Sequence, residues 1–183
     1  MIKRLFIILL CFVSFSCLAG TNHNERLDSL FKELKSIDDY SSAVKIENKI
    51  WKLWVTHPSE ESLTDLLAKG SNYMSQNRLG DAYVVFTDII SKDRNWAEAW
   101  NKRATVLYLM GEYEKSQNDI DEVLNLEKRH FGALSGQGLV QTALKNYQKA
   151  IDSYIETHKI YPAMETPLIM IEKLKLKIQK ESI

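Results

Sequence analysis

Apolar residues recur along most of the chain at the spacing of α-helices. Between residues 63 and 160 they return every three or four positions, which gives each segment one buried face. Turn-forming residues are few, with 7 Gly and 3 Pro in 183 residues, so an all-α fold is expected. The pattern predicts six helices of similar length, at 63–76, 81–92, 96–109, 114–126, 131–143 and 148–160.

A small residue and a large apolar residue sixteen positions later recur with a period of 34. A small side chain lets two antiparallel helices approach, and the large one fills the space between them, so each pair predicts one helical hairpin. A fixed period of this length is typical of a solenoid of stacked hairpins. The pairs are Gly70 with Phe86, Ala104 with Ile120, and Gly138 with Tyr154.

The motif within these hairpins resembles that of the tetratricopeptide repeat (TPR) family. The matching residues are Trp100 with Ala104, Gly70 with Tyr73, Ala150 with Tyr154, and the closing Pro162. The resemblance implies a right-handed superhelical stack of three units, at 63–96, 97–130 and 131–164, that serves in protein binding. The chain is similar in particular to small exported bacterial members of the family.

Two further segments flank the predicted repeats. Residues 20–62 carry two apolar stripes on either side of a polar turn, and they predict an N-terminal helical pair. This pair is a divergent first hairpin or a cap, or it folds back over the concave face of the stack. Thr166 followed by Pro167 marks a helix start, so residues 165–183 are expected to form a C-terminal capping helix. Its buried stripe is expected to be Leu168, Ile171, Leu174 and Ile178.

Residues 1–19 have the composition of a secretory signal peptide. A basic start at Lys3 and Arg4 precedes a short apolar run and several small residues. The run is shorter than the ~20 residues of a membrane-spanning helix. Cleavage after Ala19 is favoured, and the alternative is a lipoprotein retained through a lipidated Cys17. We therefore expect export to a bacterial periplasm, with membrane attachment only through the signal peptide or Cys17.

Charge and motif content narrow the class of function. The 24 Lys and Arg balance 24 Asp and Glu, so the surplus of cations that nucleic-acid binding needs is lacking, and no nucleic-acid partner is expected. The histidines lack metal-ligand spacing and no phosphate-binding or nucleophile motif occurs, so we expect no metal, cofactor or catalytic residue. Arg103 replaces a large aliphatic residue of the family pattern. It forms either an ion pair with a neighbouring helix or an anion hook for a partner.

In a stack of this kind, the first helix of each hairpin lines a concave groove. The stripe facing the groove contains no Lys or Arg, so the cationic clamp with which some members of the resembled family hold a peptide carboxylate is not expected. Its hydroxyl, amide, methionine and tyrosine side chains favour a peptide or helix with apolar anchors and few charges. Gly132 and Gly136 form a shallow notch for a ligand, or Gly132 only eases a bend. The predicted groove residues are Leu67, Ser71, Met74, Glu98, Asn101, Thr105, Tyr108, Gly132, Ser135, Gly136, Leu139 and Thr142.

Together these features predict a non-catalytic protein–protein interaction scaffold of the bacterial envelope that binds a peptide or helix in its concave groove. The alternative is a structural protein of the envelope that self-associates, or that assists lipoprotein assembly, without a peptide ligand. The sequence leaves the oligomeric state and the identity of the partner open.

Overall fold

The computed structural model describes residues 22–181, and every regular element in that range is a helix. The predicted all-α class is therefore confirmed, whereas the predicted signal peptide, with Cys17, lies outside the described residues. The first helix, α1, covers residues 22–35. It is followed by α2 (Tyr40–Trp54), α3 (Glu61–Ser75), α4 (Leu79–Lys92), α5 (Ala97–Leu109), α6 (Tyr113–Leu126), α7 (Phe131–Ala143), α8 (Tyr147–Ile160) and α9 (Thr166–Glu181).

Three hairpins, α3–α4, α5–α6 and α7–α8, stack in chain order, and α9 packs on α8. The hairpins close on the small–large pairs that the period predicts. A Cβ built on Gly70 would lie 2.5 Å from Cε1 of Phe86, and one built on Gly138 would lie 2.4 Å from Cζ of Tyr154. Both rings therefore touch the backbone of the facing helix, and glycine is required there because any side chain would collide with them.

The turn inside each hairpin also repeats with the 34-residue step. Asn77, Gly111 and Lys145 each adopt a positive φ, of 57°, 79° and 61°. A left-handed residue reverses the chain after a helix and is easiest for glycine, with asparagine next. Asn77, which departs from the common turn glycine of the family, therefore still meets the conformational need of this position.

The N-terminal pair, α1 and α2, does not extend the stack. It lies along the loops that join one hairpin to the next. Nε1 of Trp96, in the first such loop, donates to the carbonyl of Trp54 at 2.9 Å. The ring of His130, in the second, stacks on Trp54 with centroids 3.8 Å apart. The hydroxyl of Tyr161, after the third hairpin, donates to Glu47 at 3.0 Å. The pair thus bridges all three units along one flank, a placement that differs from a divergent first hairpin.

An aromatic cluster holds the N-terminal pair on this flank, together with an ion pair in which Nη1 of Arg129 lies 2.6 Å from Oδ1 of Asp28. The ring of Phe131 lies 5.0 Å from Trp54, 5.4 Å from Trp51 and 5.6 Å from Tyr161, measured between ring centroids. Such tilted and edge-on ring pairs stabilise beyond the area they bury. These contacts join residues far apart in sequence, so the flank is fixed by tertiary packing and not by the repeat.

The capping helix α9 covers the third unit with a stripe slightly rotated from the predicted one. Ile171 and Leu174 are buried, as expected, and Pro167 is buried with them. Leu168 is exposed, so its place in the predicted stripe is wrong. The buried positions follow the three- and four-residue spacing from Pro167, and Leu168 lies about 100° further round the helix.

Candidate binding groove

The first helices of the hairpins, α3, α5 and α7, lie side by side, and α5 contacts both of its neighbours. Between α5 and α7 this face contains a cavity of about 70 Å³, called here the Gly136 cavity. Thr105 and Tyr108 line it from α5, and Gly136 and Leu139 line it from α7. The structure therefore brings these four predicted groove residues together.

The Gly136 cavity is open to solvent. Leu139 at its rim is 41% exposed. A Cβ built on Gly136 would meet only Cδ1 of Ile120, at 3.8 Å, which is an ordinary van der Waals distance. Leu109, one turn beyond Thr105 on α5, is 54% exposed but is not among the residues that line the cavity.

Three of the predicted groove residues are buried instead of exposed. Leu67 is 2% exposed and packs in the core that the first two hairpins share. Glu98 is 1% exposed, and Nδ2 of the buried Asn101 donates to its Oε2 at 2.9 Å. The prediction that Leu67 and Glu98 line an open surface is therefore wrong. The groove stripe was assigned from one helix at a time, whereas contacts with neighbouring elements cover both residues. Asn101 still reaches the wall of the Gly136 cavity.

One end of the groove is closed by α2. A Cβ built on Gly132 would lie 2.7 Å from Cη2 of Trp51, so the indole fills the space that glycine leaves. Nε1 of Trp51 donates to Oε1 of Glu47 at 3.1 Å, which fixes the ring, and Nζ of Lys102 lies 5.9 Å from the ring centroid. The notch at Gly132 is thus occupied by the chain itself, and only the Gly136 end is free. The alternative in which the N-terminal pair folds back over the groove holds for this end.

The remaining predicted groove residues, Ser71, Met74, Ser135 and Thr142, are half-buried on the same face. The hydroxyls along the stripe are largely engaged within their own helices. Ser71 donates to the carbonyl of Leu67 at 2.9 Å, Thr142 to that of Gly138 at 2.6 Å, and Thr105 to that of Asn101 at 2.9 Å. Because their protons are used, these groups offer a ligand acceptors more than donors, and the groove is less polar than its sequence indicates.

A buried polar network fixes the spacing of α5 and α7 next to the groove. Nδ1 of His130 accepts from the backbone N of Ala133 at 3.1 Å, so its proton lies on Nε2, which donates to Oε2 of Glu98 at 3.1 Å. Nζ of Lys102 is 3.2 Å from the other carboxylate oxygen. Burial raises the pKa of Glu98, but the contacts with His130 and Lys102 lower it by more, so this pKa lies below its usual value.

Arg103 has a structural role. Its Nε and Nη2 donate to the two carboxylate oxygens of Asp119 at 2.7 and 2.8 Å, and Nη1 donates to Thr87 at 3.2 Å. The hydrogen bonds that Arg103 donates to Asp119 raise the pKa of Arg103, although its partial burial opposes this shift. The first interpretation, an ion pair with a neighbouring helix, is confirmed. With both ends of the fork engaged, the guanidinium is not available as an anion hook.

His57 also has structural partners. Nδ1 of His57 accepts from the backbone N of Glu60 at 3.0 Å, and its Nε2 lies 2.9 Å from Oδ2 of Asp93. Between residues 22 and 181 no three His, Cys, Asp or Glu side chains are grouped so as to hold a metal ion. In the same range, no helix combines the length and the apolar character needed to cross a membrane.

Similarity to known proteins agrees with this architecture. No family model matches the chain. The chain is 35% identical over 161 residues to a TPR repeat-containing protein of Rhizobium etli, and the alignment covers 87% of this chain and 78% of the relative. The chain belongs to the tetratricopeptide repeat proteins. The resemblance of its motifs to the TPR pattern is therefore confirmed.

Two solved TPR structures share the fold. The first TPR domain of Spaghetti (RPAP3), bound to an HSP90 peptide, has a TM-score of 0.62 at 18% identity and covers 64% of this chain and 93% of its own. The Yersinia enterocolitica type III secretion chaperone SycD, in complex with a peptide of the translocator YopD, has a TM-score of 0.62 at 14% identity. This match covers 65% of the present chain and 96% of SycD. At these identities the TPR stack is the feature they have in common.

Two glycines one turn apart on α7 are expected to respond to alanine with opposite signs. Gly136→Ala should raise the free energy of unfolding by about 0.5–1 kcal/mol, because alanine favours the helix and its methyl group fits the Gly136 cavity. Gly132→Ala should lower it by about 1–2 kcal/mol, because the Trp51 ring must move. Urea denaturation measures both. In a Trp51→Ala background the loss at Gly132 should disappear, and a loss that persists would show that the indole does not lie there.

Proposed function

We propose that this TPR protein is a non-catalytic scaffold that binds a segment of another protein, a peptide or helix with apolar anchors and few charges, in the groove between α5 and α7. The observation that carries the proposal is the Gly136 cavity, an open depression whose rim includes Tyr108 and Leu139. An apolar side chain of the ligand would enter this cavity. Affinity would come from burying it together with the rim, at roughly 25 cal/mol per Å² of apolar surface.

The shape of the groove supports this choice of ligand. Its walls belong to packed helices, so the protein has little to order on binding. The exposed Leu139 adds apolar surface to the wall of the cavity. The predicted groove stripe carries no Lys or Arg, which disfavours a ligand rich in acidic groups. The Spaghetti and SycD structures, which share the fold, each contain a peptide.

The contact of Trp51 with Gly132 limits the length of the ligand segment that the groove can hold. It closes the groove at the first turn of α7, so the bound segment would lie over Thr105, Gly136 and Leu139 and end at the indole. A ligand that ran the whole length of the groove would have to displace α2 and the aromatic cluster. The proposal therefore favours a short segment over an extended one.

Photo-crosslinking tests the proposed groove. A photoreactive residue is placed at Leu139, on the rim, and separately at Val84, which is 66% exposed on α4. Crosslinking in the native cells should yield a defined protein partner from position 139, and that product should disappear when Gly136 is replaced by leucine. Equal products from both positions, or products that Gly136→Leu leaves unchanged, would contradict binding in the groove.

We further propose that the scaffold acts in the bacterial envelope after export. The support is the composition of residues 1–19. The mass of the mature protein tests it. A chain that begins at Gly20 supports export with cleavage after Ala19, a diacylglyceryl group on Cys17 supports the lipid-anchored form, and a chain that keeps Met1 contradicts both.

Self-association is the second candidate function, and one observation favours it. The outer face of α9 exposes the apolar side chains of Leu168, Ile169 and Leu176 at the end of the stack. A second copy could cover them, since closed pairs are the commonest assemblies of identical chains. The molar mass from light scattering, measured over a range of protein concentrations, tests self-association. A dimer that Leu176→Ser dissociates supports this role, and a monomer at every concentration excludes it.

A further inference from the structure

The N-terminal pair contains a cleft that the proposed function does not use. It lies between α1 and α2 and has a volume of about 640 Å³. Three exposed cations line it, Arg26 from α1 and Lys49 and Lys52 from α2. Ser29 and Thr56, which carry hydroxyl groups, also line the cleft. No carboxylate is among the residues that line this cleft.

Three acids of the N-terminal pair make their contacts outside the cleft. Asp28 forms an ion pair with Arg129 at 2.6 Å, Glu47 accepts hydrogen bonds from Trp51 and Tyr161, and Asp39 caps α2. Residues 22–57 contain six acidic and six basic residues. The composition of this segment therefore does not indicate a cluster of cations. The structure turns these three acids to other contacts and leaves the cations together in the cleft.

The three cations of the cleft are not paired with the acids that the structure describes. Within residues 22–181, none of Arg26, Lys49 and Lys52 forms an ion pair with a carboxylate. Like charges held together in one concave site repel each other and raise the local concentration of anions. An anion bound in the cleft would therefore face three cations that no carboxylate of the described residues neutralises.

The other groups in the cleft indicate what kind of anion fits. A guanidinium, two ammonium groups and two hydroxyls are the donors that phosphate oxygens accept from. Leu30 and Leu53, both half-buried, add apolar surface between the cations. A ligand that carries a phosphate group next to apolar atoms matches both features.

We propose that the cleft between α1 and α2 binds a phosphate ester, as carried by the headgroup of an anionic phospholipid or by a free phosphoester such as glycerol phosphate. The cleft lies on the flank of the stack, in the helices that directly follow the predicted export segment. It is separate from the Gly136 cavity in residues and in elements. Binding there would leave the groove between α5 and α7 accessible.

The test compares two triple variants with the same loss of charge, in the chain from Gly20 to Ile183. The cleft variant is R26Q/K49Q/K52Q, and the control is K128Q/K173Q/K180Q, whose lysines are exposed and outside the cleft. Binding is measured to phosphatidylglycerol vesicles, to phosphatidylcholine vesicles and to glycerol phosphate. Each basic residue at an anionic surface contributes roughly a factor of five. The cleft variant should therefore bind about a hundredfold more weakly than the unchanged protein, and the control variant less than threefold.

Each outcome has a defined meaning. Binding to phosphatidylglycerol vesicles but not to glycerol phosphate assigns the cleft to a lipid surface, and comparable binding of glycerol phosphate assigns it to a free phosphoester. Equal weakening by both triple variants would reduce the effect to general electrostatics and overturn the site. The same conclusion follows if the unchanged protein binds neither phosphate probe. Circular dichroism spectra and melting temperatures check that both variants fold.

Discussion

Replacing Gly138 with alanine should lower the free energy of unfolding by about 2–3 kcal/mol. The new Cβ would lie 2.4 Å from Cζ of Tyr154. Tyr154 is buried, and this burial raises the pKa of its hydroxyl to about 12. At this distance either the ring or the backbone of α7 must shift, which is the cost of overpacking a core. Urea denaturation followed by circular dichroism measures the loss.

The chain offers matched controls for the Gly138 prediction. Gly136→Ala, two positions away on the same helix, should stabilise the protein. The double variant Gly138→Ala with Tyr154→Ile reproduces the pair Ala104 and Ile120 of the middle hairpin, so it should recover part of the lost stability. Equal losses from the two alanine substitutions would show that the effect is one of helix propensity and not of packing against Tyr154.

Replacing Glu98 with glutamine should lower the free energy of unfolding by about 2 kcal/mol at neutral pH. The change keeps the size of the side chain but removes the charge that faces Lys102 and His130. Breaking a buried pair by neutralising one partner leaves the other without compensation. Lys102 is partly exposed and can turn to solvent, which limits the loss. Glu122→Gln, at an exposed position of α6, is the control and should change stability by less than about 0.5 kcal/mol.

The pH dependence of this difference follows from the lowered pKa of Glu98. Because the pKa is lower in the folded chain than its ordinary value of 4.5, the charged carboxylate stabilises the fold above pH 4.5. That contribution is lost as the pH falls through the pKa of the folded state. The difference in the free energy of unfolding between the unmodified protein and the Glu98→Gln variant should therefore become smaller on acidification. A difference that grows at low pH would contradict the network with His130 and Lys102.

The repeat helices could be predicted from sequence because their determinants are local. The small and large residues of one hairpin are sixteen positions apart, and the period of 34 shows them three times. The placement of α1 and α2 could not, because it depends on single contacts between distant residues. Trp54 stacks on His130, and Trp51 contacts Gly132. The sequence between these residues does not indicate either contact. Such contacts leave no periodic signal.

The groove was predictable only in part, for the same reason. Thr105, Tyr108, Gly136 and Leu139 lie at the cavity, and Thr105 and Leu139 remain exposed. Glu98 also belongs to that stripe, but the loop before α7 covers it through His130. A stripe drawn on one helix identifies which way a side chain points, and burial depends in addition on which other elements pack there.

The affinity of the partner captured from Leu139, measured with purified proteins, tests the central claim most directly. Gly136→Leu fills the open cavity and should weaken binding at least tenfold. Val84→Ser, on the exposed face of α4, should leave the affinity unchanged. The helical circular dichroism of both variants should match that of the unmodified protein. Equal affinity of the Gly136→Leu variant and the unmodified protein would contradict the groove between α5 and α7 as the binding surface.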